Sequence, residues 1–374
     1  MSPSLSIPRR IRSTPFRFFN EAQGVKAYTV YNHMLLPTVF HSVEDDYWHL
    51  KEHVQIWDVA CERQVEIAGP DAARLIQWMT PRDLRNAAPL QCLYAPLTDE
   101  RGGMVNDPIV IKLDPERYWL SIADSDVLLW AKGLALGGGF DVTICEPDVW
   151  PLAVQGPKSD ALLEQVFGRE VRDIRFFRCK WMSFRDHPLL IARSGWSKQG
   201  GFEIYVDDKA LGTTLIAALL EAGQSLNVRG GCPNAIERIE GGLLSYGNDM
   251  TLLENPLECG LDKYCHIGGD LDFLGRDALA KIKAEGVRRK IVGLKFSSDS
   301  IPACSDAWPV SRAGEPIGEV TSAAVSPLFK CGIAFAMLAR GHWQEGHTVT
   351  VATPEGPREA AVSRLPFTGN GTGQ

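Results

Sequence analysis

Residues 193–206, RSGWSKQGGFEIYV, predict a tight, glycine-hinged hairpin that carries an aromatic ring, a cation and a carboxylate. In its second strand, apolar residues at 202, 204 and 206 alternate with Glu203 and Tyr205. Because successive side chains of a strand point to opposite faces, Glu203 and Tyr205 should project together. Taken alone, this pattern is more typical of a half-exposed strand than of a functional site.

Four further motifs surround this hairpin along the chain. They are GGMVND at 102–107, VQGP at 154–157, RIEGGLLSYGNDM at 238–250, and TS at 321–322 with SP at 326–327. In this order, they and the hairpin resemble the motifs of the aminomethyltransferase family, which includes the T-protein of glycine cleavage. The resemblance covers nearly the whole chain. It implies an α+β protein of three lobes around a central folate cavity, with a C-terminal antiparallel β-barrel.

Three other segments and the Trp196 turn are similar to one branch of that family, which demethylates dimethylsulfoniopropionate. The segments are YTVYNHMLLP at 28–37, CERQVEI at 61–67 and LSIADSD at 120–126. The resemblance implies an enzyme that moves a methyl group from this sulfonium zwitterion to tetrahydrofolate and leaves 3-(methylthio)propanoate. Two alternatives stay open: a glycine-cleavage aminomethyltransferase that needs a lipoyl carrier protein, and a non-catalytic folate-binding factor on the same fold.

The composition fits a globular protein with more than one core: 374 residues, 45% hydrophobic and 23% charged. A net charge of −7 argues against nucleic acid or an anionic membrane as the main partner, since both require a basic face. Nine cysteines without a C-x-x-C pair indicate reduced thiols, and the apolar run 127–133 is interrupted by Lys132. We therefore expect a cytoplasmic protein without a membrane span; the resemblance suggests a homodimer.

The sequence also predicts that no metal or flavin takes part. His49 and His53 are four residues apart on a predicted helix, but no third ligand accompanies them. The glycines at 137–139 lack the spacing of a dinucleotide-binding motif and are predicted to form a loop.

The region 1–285 is predicted to mix helices and strands irregularly, as an α+β protein does. The predicted helices cover 43–54 after Ser42, 71–79 and 159–167, and the predicted strands include 65–67, 108–113 and 118–122. After the basic linker 286–290, short strands at 291–296, 316–321 and 348–352 predict a small antiparallel barrel within 286–374. The glycine-rich tail 369–374 is expected to be disordered.

Methyl transfer from a sulfonium needs an aromatic face for the cation and a cation for the propionate carboxylate. Trp196 is the candidate for the first, because indole is the best cation–π face; the ordinary alternative is a packing tryptophan. Lys198, with Arg193 as second choice, is the candidate for the second, against an ordinary surface lysine.

Three further residues are candidates for the substrate pocket. Tyr31 and Met34 would form its walls, although a plain core position is the commoner role of such a methionine. Ile122 falls where T-proteins carry an asparagine toward their aminomethyl group, and the loss of that amide disfavours an amine-bearing substrate.

The resemblance supplies the folate-binding and catalytic candidates. Glu203 would accept hydrogen bonds from the pterin, and Tyr205 would act near the reacting centre. Asp107 would stabilise the ammonium that develops on the attacking nitrogen and help it lose its proton, although an aspartate after two glycines is often a turn residue. Asn106 replaces the first aspartate of the family pair.

Arg238 would meet the glutamyl tail of the folate. Its ordinary alternative is an ion pair on the helix surface with Glu237 or Glu240.

Overall fold

The computed structural model describes residues 7–367, so the predicted disorder of residues 369–374 lies outside the described range. The described chain forms two compact units. The first unit comprises residues 7–73, 87–93 and 109–234, and the second comprises residues 74–86, 94–108 and 235–367. The predicted division into domains at residue 285 falls within the second unit and stays a prediction.

The described chain has both helices and strands in quantity, as an α+β fold requires. The α-helices are α1 (Arg17–Ala22), α2 (Val43–Glu52), α3 (Ala72–Met79), α4 (Val127–Gly138), α5 (Ser159–Phe167), α6 (Lys209–Ala222), α7 (Ala235–Glu240) and α8 (Arg276–Glu285).

The strands are short in the first part of the chain and longer in the last part. They are β1 (Ala27–Tyr31), β2 (Met34–Val39), β3 (Val54–Asp58), β4 (Gln64–Ala68), β5 (Gln91–Tyr94), β6 (Leu97–Thr98), β7 (Met104–Asn106), β8 (Ile109–Asp114), β9 (Arg117–Ser121), β10 (Thr143–Cys145), β11 (Trp150–Gln155), β12 (Cys179–Phe184), β13 (His187–Ala192), β14 (Gly201–Val206), β15 (Val228–Gly231), β16 (Arg289–Phe296), β17 (Trp308–Arg312), β18 (Glu315–Ser326), β19 (Cys331–Ala339), β20 (Thr348–Thr353) and β21 (Gly356–Ser363).

The predicted helices and strands named above are confirmed, with ends that shift by a few residues. Helix α2 begins after Ser42, whose hydroxyl accepts a hydrogen bond from the Asp45 amide at 3.0 Å. This is the N-cap contact that the sequence predicts, because the first amides of a helix have no partner within it.

The loop predicted at residues 137–139 is a wrong prediction. Helix α4 continues to Gly138 and ends at Gly139, which has the left-handed backbone conformation with φ of 62°. A glycine in that conformation commonly ends a helix, so the glycine run marks the end of α4 and not a loop of its own.

A six-stranded sheet, in the order β12-β13-β14-β11-β3-β15, positions the candidate residues of the first unit. Strand β14 lies inside this sheet and is buried along its whole length. Its residues Phe202, Ile204 and Val206 pack into a core that helices α5 and α6 help to form. A second sheet, in the order β10-β4-β9-β8-β5, carries Trp119, which packs near Tyr205 on the other face of β14.

The C-terminal barrel is confirmed: six strands close in the order β16-β19-β18-β17-β20-β21, and their pairings are antiparallel. Its interior holds alternate apolar residues, such as Leu294, Val310 and Val351, as the two-residue period of a strand requires. Within residues 7–367, no helix has both the length and the apolar composition that crossing a bilayer requires.

Candidate functional site

The predicted hairpin exists, but its turn is not tight. Strands β13 and β14 pair with Ala192 opposite Glu203, and residues 193–200 form a long connection between them. The clustered glycines predicted a short turn. In the structure they serve instead to bring this loop close to strand β11 of the same sheet.

Gln155, at the end of β11, anchors this loop through hydrogen bonds of its side-chain amide. It is 1% exposed, and its Nε2 donates to the Ser194 carbonyl at 3.1 Å and to the Phe202 carbonyl at 3.4 Å. Its Oε1 accepts from the Ser197 hydroxyl at 2.7 Å. The motif at 154–157 therefore fastens the loop that carries Trp196 and Lys198, a role that sequence analysis missed because the two segments are distant along the chain.

Glycine is required where the loop crosses Gln155. A Cβ atom on Gly195 would lie 2.1 Å from Gln155 Nε2, and one on Gly201 would lie 2.4 Å from the Val154 carbonyl oxygen. Both glycines also have positive φ values, of 142° and 151°, that other residues rarely adopt. Glycine is thus needed at these two positions because the loop passes close to strand β11.

The loop presents its two substrate candidates differently. Trp196 is half-buried, whereas Lys198 is exposed and has a left-handed backbone with φ of 58°. Arg193, the second choice for the carboxylate, pairs with Asp160 at 2.7 Å and lies over the Phe202 ring at 4.9 Å. Because that guanidinium is engaged, Lys198 is the better candidate for binding a carboxylate.

Glu203 and Tyr205 share a face, as their alternation predicts, but the face is buried. Glu203 is 8% exposed and Tyr205 is 3% exposed. Glu203 Oε2 accepts a short hydrogen bond from the Ser194 hydroxyl and a longer one, 3.4 Å, from the Tyr205 hydroxyl. Burial raises the pKa of Glu203, and these two hydrogen bonds oppose part of that rise. The interpretation as a half-exposed strand is therefore wrong.

Tyr205 lies in an apolar environment on its ring side. Its ring contacts Trp119 with centroids 5.6 Å apart, and it packs with Cys92 and Cys179, whose sulfur atoms are 3.2 Å apart. Burial raises the pKa of the Tyr205 hydroxyl well above its usual value, so the group is a neutral donor at physiological pH.

A second carboxyl group, Glu62, belongs to the electrostatic environment of Glu203. Burial raises the pKa of Glu62 well above its ordinary value, and the negative charge of Glu203 raises it further. Two neighbouring carboxyl groups cannot both ionise without cost. Glu62 lies in the motif at 61–67, which gave no local signal for such a role because Arg63 and Glu66 are also charged.

The turn between β1 and β2 brings three of the predicted substrate residues into one region. Asn32, in that turn between Tyr31 and Met34, donates through Nδ2 to the carbonyls of Cys61 at 3.0 Å and Ile122 at 3.4 Å. The Asn32 contacts were not foreseen, because they join three segments that are distant in sequence. They place the turn against the segment that carries Glu62 and against Ile122.

Tyr31, Met34 and Ile122 differ in exposure. Tyr31 is partly exposed, Met34 is 4% exposed and Ile122 is 1% exposed. Met34 lines a cavity of about 270 Å³ whose other walls include Arg12, Arg63, Glu146 and Trp150. The apolar Ile122 is thus a core residue at the base of this region.

In the second unit, Asp107 follows strand β7 and is partly buried. Its Oδ2 accepts a hydrogen bond from the Tyr94 hydroxyl at 2.9 Å, and its Oδ1 is buried without a hydrogen-bond partner in the described chain. Burial raises the pKa of Asp107 to about 7, the Tyr94 hydrogen bond opposes this, and the negative charge of Asp249 adds to it. The glycine turn before it is stabilised by Asp99, whose Oδ1 accepts from the Gly103 amide at 2.7 Å.

Arg238, also in the second unit, lies in a buried polar network. Its Nη1 pairs with Asp249 Oδ2 at 2.7 Å, and its Nη2 donates to the Ser322 hydroxyl at 2.6 Å. Asp249 Oδ1 accepts from the hydroxyls of Thr321 at 2.7 Å and Ser322 at 2.6 Å. The alternative of an ion pair on the helix surface does not hold, because the Arg238 side chain is buried. The network joins the motif at 238–250 to the TS motif in barrel strand β18.

The candidates therefore divide by unit. The first unit carries Trp196, Lys198, Glu203, Tyr205, Tyr31, Met34 and Ile122, and the second carries Asp107 and Arg238. No group of three or more His, Cys, Asp or Glu side chains that could hold a metal ion occurs within residues 7–367. His53 Nδ1 lies 2.7 Å from Lys158 Nζ.

The chain is similar over nearly its full length to characterised proteins. A dimethylsulfoniopropionate demethylase from Ruegeria pomeroyi is 55% identical over 354 residues, which cover 95% of this chain and 96% of that one. An aminomethyltransferase from Symbiobacterium thermophilum is 32% identical over 89% of this chain and 91% of its own length.

A solved structure shows the same fold. The glycine cleavage system aminomethyltransferase T from Bartonella henselae superposes with a TM-score of 0.85, covering 96% of this chain and 98% of that one, at 24% identity. Residues 17–268 match the GCVT N-terminal domain model, and residues 289–368 match the model of the glycine cleavage T-protein C-terminal barrel domain. With both domain models matched in order and a full-length relative at 55% identity, the chain belongs to the glycine cleavage T-protein, or aminomethyltransferase, family.

Proposed function

We propose that this protein is a tetrahydrofolate-dependent demethylase of dimethylsulfoniopropionate. The observation that carries the proposal is the 55% identity, over 95% of the chain, to a relative with that demethylase name, against 32% to an aminomethyltransferase. Two of the segments that resemble this branch, 28–37 and 61–67, contact each other through the hydrogen bond from Asn32 Nδ2 to the Cys61 carbonyl, and Gln155 holds the Trp196 loop in the same unit.

The proposed reaction forms one N–C bond and breaks one S–C bond. The secondary amine N5 of tetrahydrofolate attacks a methyl carbon of the sulfonium, and the electron pair of the broken bond stays on sulfur as a neutral thioether. The products are 5-methyltetrahydrofolate, 3-(methylthio)propanoate and one proton, which the amine loses. Because the leaving sulfide is neutral, no general acid is needed at sulfur, and the protein contributes orientation and electrostatics.

The buried acceptors of this chain suit the hydrogen-bond donors of a reduced pterin. Glu203 is held in place by Ser194 and has a carboxylate that can accept hydrogen bonds from an amino group and a ring N–H together. The neutral hydroxyl of Tyr205 lies beside it and supplies a further donor or acceptor.

The loop at 193–200 supplies the candidates for the sulfonium zwitterion. Trp196 would place its indole face against the positive sulfur, and Lys198 would pair with the propionate carboxylate. Tyr31, Met34 and Ile122 would give the site apolar walls, which exclude water and strengthen both contacts.

Asp107 is the proposed proton acceptor. Its Oδ1 is a buried carboxylate oxygen without a donor in the described chain, and a pKa of about 7 suits a base that works near neutral pH. Its negative charge would also stabilise the methylated ammonium before the proton leaves.

For Arg238, contact with the glutamyl tail of the folate stays a prediction of the resemblance. In the structure, its two Nη atoms contact Asp249 and Ser322.

One assay tests the function. The purified protein is incubated with tetrahydrofolate and dimethylsulfoniopropionate, and 5-methyltetrahydrofolate and 3-(methylthio)propanoate are measured by chromatography with mass detection. Equal amounts of the two products support the proposal. Formation of methylenetetrahydrofolate and ammonia from an aminomethylated lipoyl carrier, without reaction of the sulfonium, would identify a glycine-cleavage enzyme instead. Folate binding without either reaction would indicate a non-catalytic factor.

We expect Glu203→Gln to weaken tetrahydrofolate binding about 10- to 150-fold while the protein stays folded. The substitution replaces a charged acceptor by an amide that must present a donor on one side, and one such contact is worth about 1.5–3 kcal/mol. Calorimetric titration measures the affinity, with Glu221→Gln, an exposed position in the same unit, as the control. Unchanged affinity of the Glu203 variant would remove this residue from the folate site.

Trp196 tests the identity of the substrate. We expect Trp196→Phe to retain more activity than Trp196→Leu, by about five- to thirtyfold in kcat/KM, since leucine keeps apolar bulk but has no negative π face. Inhibition by 4-methylpentanoate, in which carbon replaces the positive sulfur, should be affected much less by the leucine substitution. Trp181→Leu, at a tryptophan that is 47% exposed in the same unit, serves as the control. Equal activity of the Phe and Leu variants would show that Trp196 only packs.

Composition and motifs predict a cytoplasmic protein that uses neither a metal nor a flavin, and the family resemblance suggests a homodimer. These remain predictions.

A further inference from the structure

Tyr94 and Asp107 lie on two segments of the second unit that are hydrogen-bonded to each other. Strand β6 pairs with strand β7, with Leu97 opposite Asn106, and the Ala95 amide donates to the Pro108 carbonyl at 3.0 Å. The residues next to Tyr94 and next to Asp107 are therefore joined by backbone hydrogen bonds. This fixes the distance between the two side chains independently of any ligand.

The Tyr94 side chain is itself held in place. Its ring contacts the Tyr264 ring edge-on with centroids 4.9 Å apart, and the Arg82 guanidinium lies over the Tyr264 ring at 5.1 Å. The Tyr94 hydroxyl then donates to Asp107 Oδ2 at 2.9 Å. A phenol on a packed ring has few rotamers, so this hydrogen bond selects one orientation of the carboxylate.

The two oxygens of Asp107 consequently differ. Oδ2 is occupied by Tyr94, whereas Oδ1 is buried and has no hydrogen-bond partner within residues 7–367. A buried carboxylate oxygen without a donor costs free energy unless a ligand supplies one. We propose that Tyr94 is a positioning residue for the methyl transfer, which fixes Asp107 so that Oδ1 alone accepts the proton of the methylated amine.

This inference rests on the proposed function, because it assumes that Asp107 is the base. The ionisable groups that act on Asp107 or respond to it are Tyr94, Asp249, Tyr246 and Cys259, all in the second unit. Asp249 is already paired with Arg238. Of these groups, Tyr94 is the one that donates a hydrogen bond to the Asp107 side chain, so its hydroxyl should favour the ionised form.

The test compares wild type with Tyr94→Phe, which removes one oxygen and keeps the ring. We expect the acid limb of the kcat/KM profile to move up by about one to two pH units in Tyr94→Phe, because the carboxylate loses its one side-chain donor. At neutral pH, kcat should fall by a larger factor than KM for the sulfonium rises. Tyr246→Phe is the matched control, since its hydroxyl donates at 3.1 Å to the Met104 carbonyl and not to Asp107. An acid limb that stays in place in Tyr94→Phe overturns the inference.

A second measurement needs no substrate. The change in thermal stability caused by Asp107→Asn is followed against pH in two backgrounds, wild type and Tyr94→Phe, and the midpoint of its pH dependence reports the ionisation of Asp107. We expect that midpoint to be higher in the Tyr94→Phe background. If it shifts but no methyl transfer is found, the proposed function fails and the effect of Tyr94 on Asp107 stands. If methyl transfer is found and neither midpoint nor acid limb shifts, the inference about Tyr94 fails alone.

Discussion

Asp107→Asn is expected to lower kcat for methyl transfer by about 10²- to 10⁴-fold, the usual contribution of a general base. Asparagine keeps the shape of the side chain and can still accept the Tyr94 hydrogen bond, but it cannot take a proton or offset a developing positive charge. Steady-state kinetics with both substrates varied measures the effect. A rise in KM with unchanged kcat would mean that Asp107 only binds, and the role as base would be wrong.

The same substitution should stabilise the protein above neutral pH. Burial raises the pKa of Asp107 to about 7 in the folded protein. Between the pKa of the unfolded chain and about pH 7, the carboxyl ionises more readily in the unfolded state, so the free energy of unfolding falls as the pH rises. Below the unfolded pKa the group is neutral in both states and the substitution has no electrostatic effect. Asp107→Asn should therefore gain roughly 2–3 kcal/mol more stability at about pH 8 than at about pH 5.

Thermal or urea unfolding at the two pH values measures this gain. Asp272→Asn, at an exposed position in the same unit, is the control. A gain that does not grow with pH would show that the Asp107 carboxyl ionises near its ordinary pKa.

Arg238→Met is expected to destabilise the protein by about 3–5 kcal/mol, the range for breaking a buried ion pair. Methionine retains apolar volume over the Phe335 ring, but it leaves the Asp249 carboxylate, whose side chain is 0% exposed, without its cation. The hydroxyls of Thr321 and Ser322 can compensate only in part, since neither carries a charge. The urea midpoint of unfolding measures the loss.

Arg364→Met is the matched control in the same unit. Arg364 pairs with Glu345 at 2.6 Å, but both side chains are exposed, so its replacement should cost less than about 1 kcal/mol. If Arg238→Met retained wild-type stability and weakened binding of folates with longer glutamyl tails, the guanidinium would be a ligand contact and its structural role would be minor.

Periodicity and spacing alone were enough to predict much of the fold. Local signals predicted the N-cap at Ser42, the helix at 159–167 and the barrel within residues 286–374. These signals are capping side chains, a 3.6-residue period and short strands between glycines and prolines. The alternation of residues 202–206 likewise placed Glu203 and Tyr205 on one face.

Predictions from local sequence were wrong at glycines whose role depends on the folded structure. The run at 137–139 ends a helix, and Gly195 and Gly201 make room for Gln155 instead of forming a tight turn. A glycine indicates that its position needs space or an unusual backbone conformation, but it does not indicate which residue occupies the space.

Sequence by itself thus determined the family, the element types and the candidate residues, because these depend on residue identity and on spacing along the chain. Tertiary structure alone decided that Gln155 holds the Trp196 loop, that Arg238 pairs with Asp249 in a buried network, and that the Tyr94 hydroxyl donates to one oxygen of Asp107. Burial and hydrogen bonding between segments far apart in the chain set the charge and orientation of each group, and these interactions exist only once the segments have packed together.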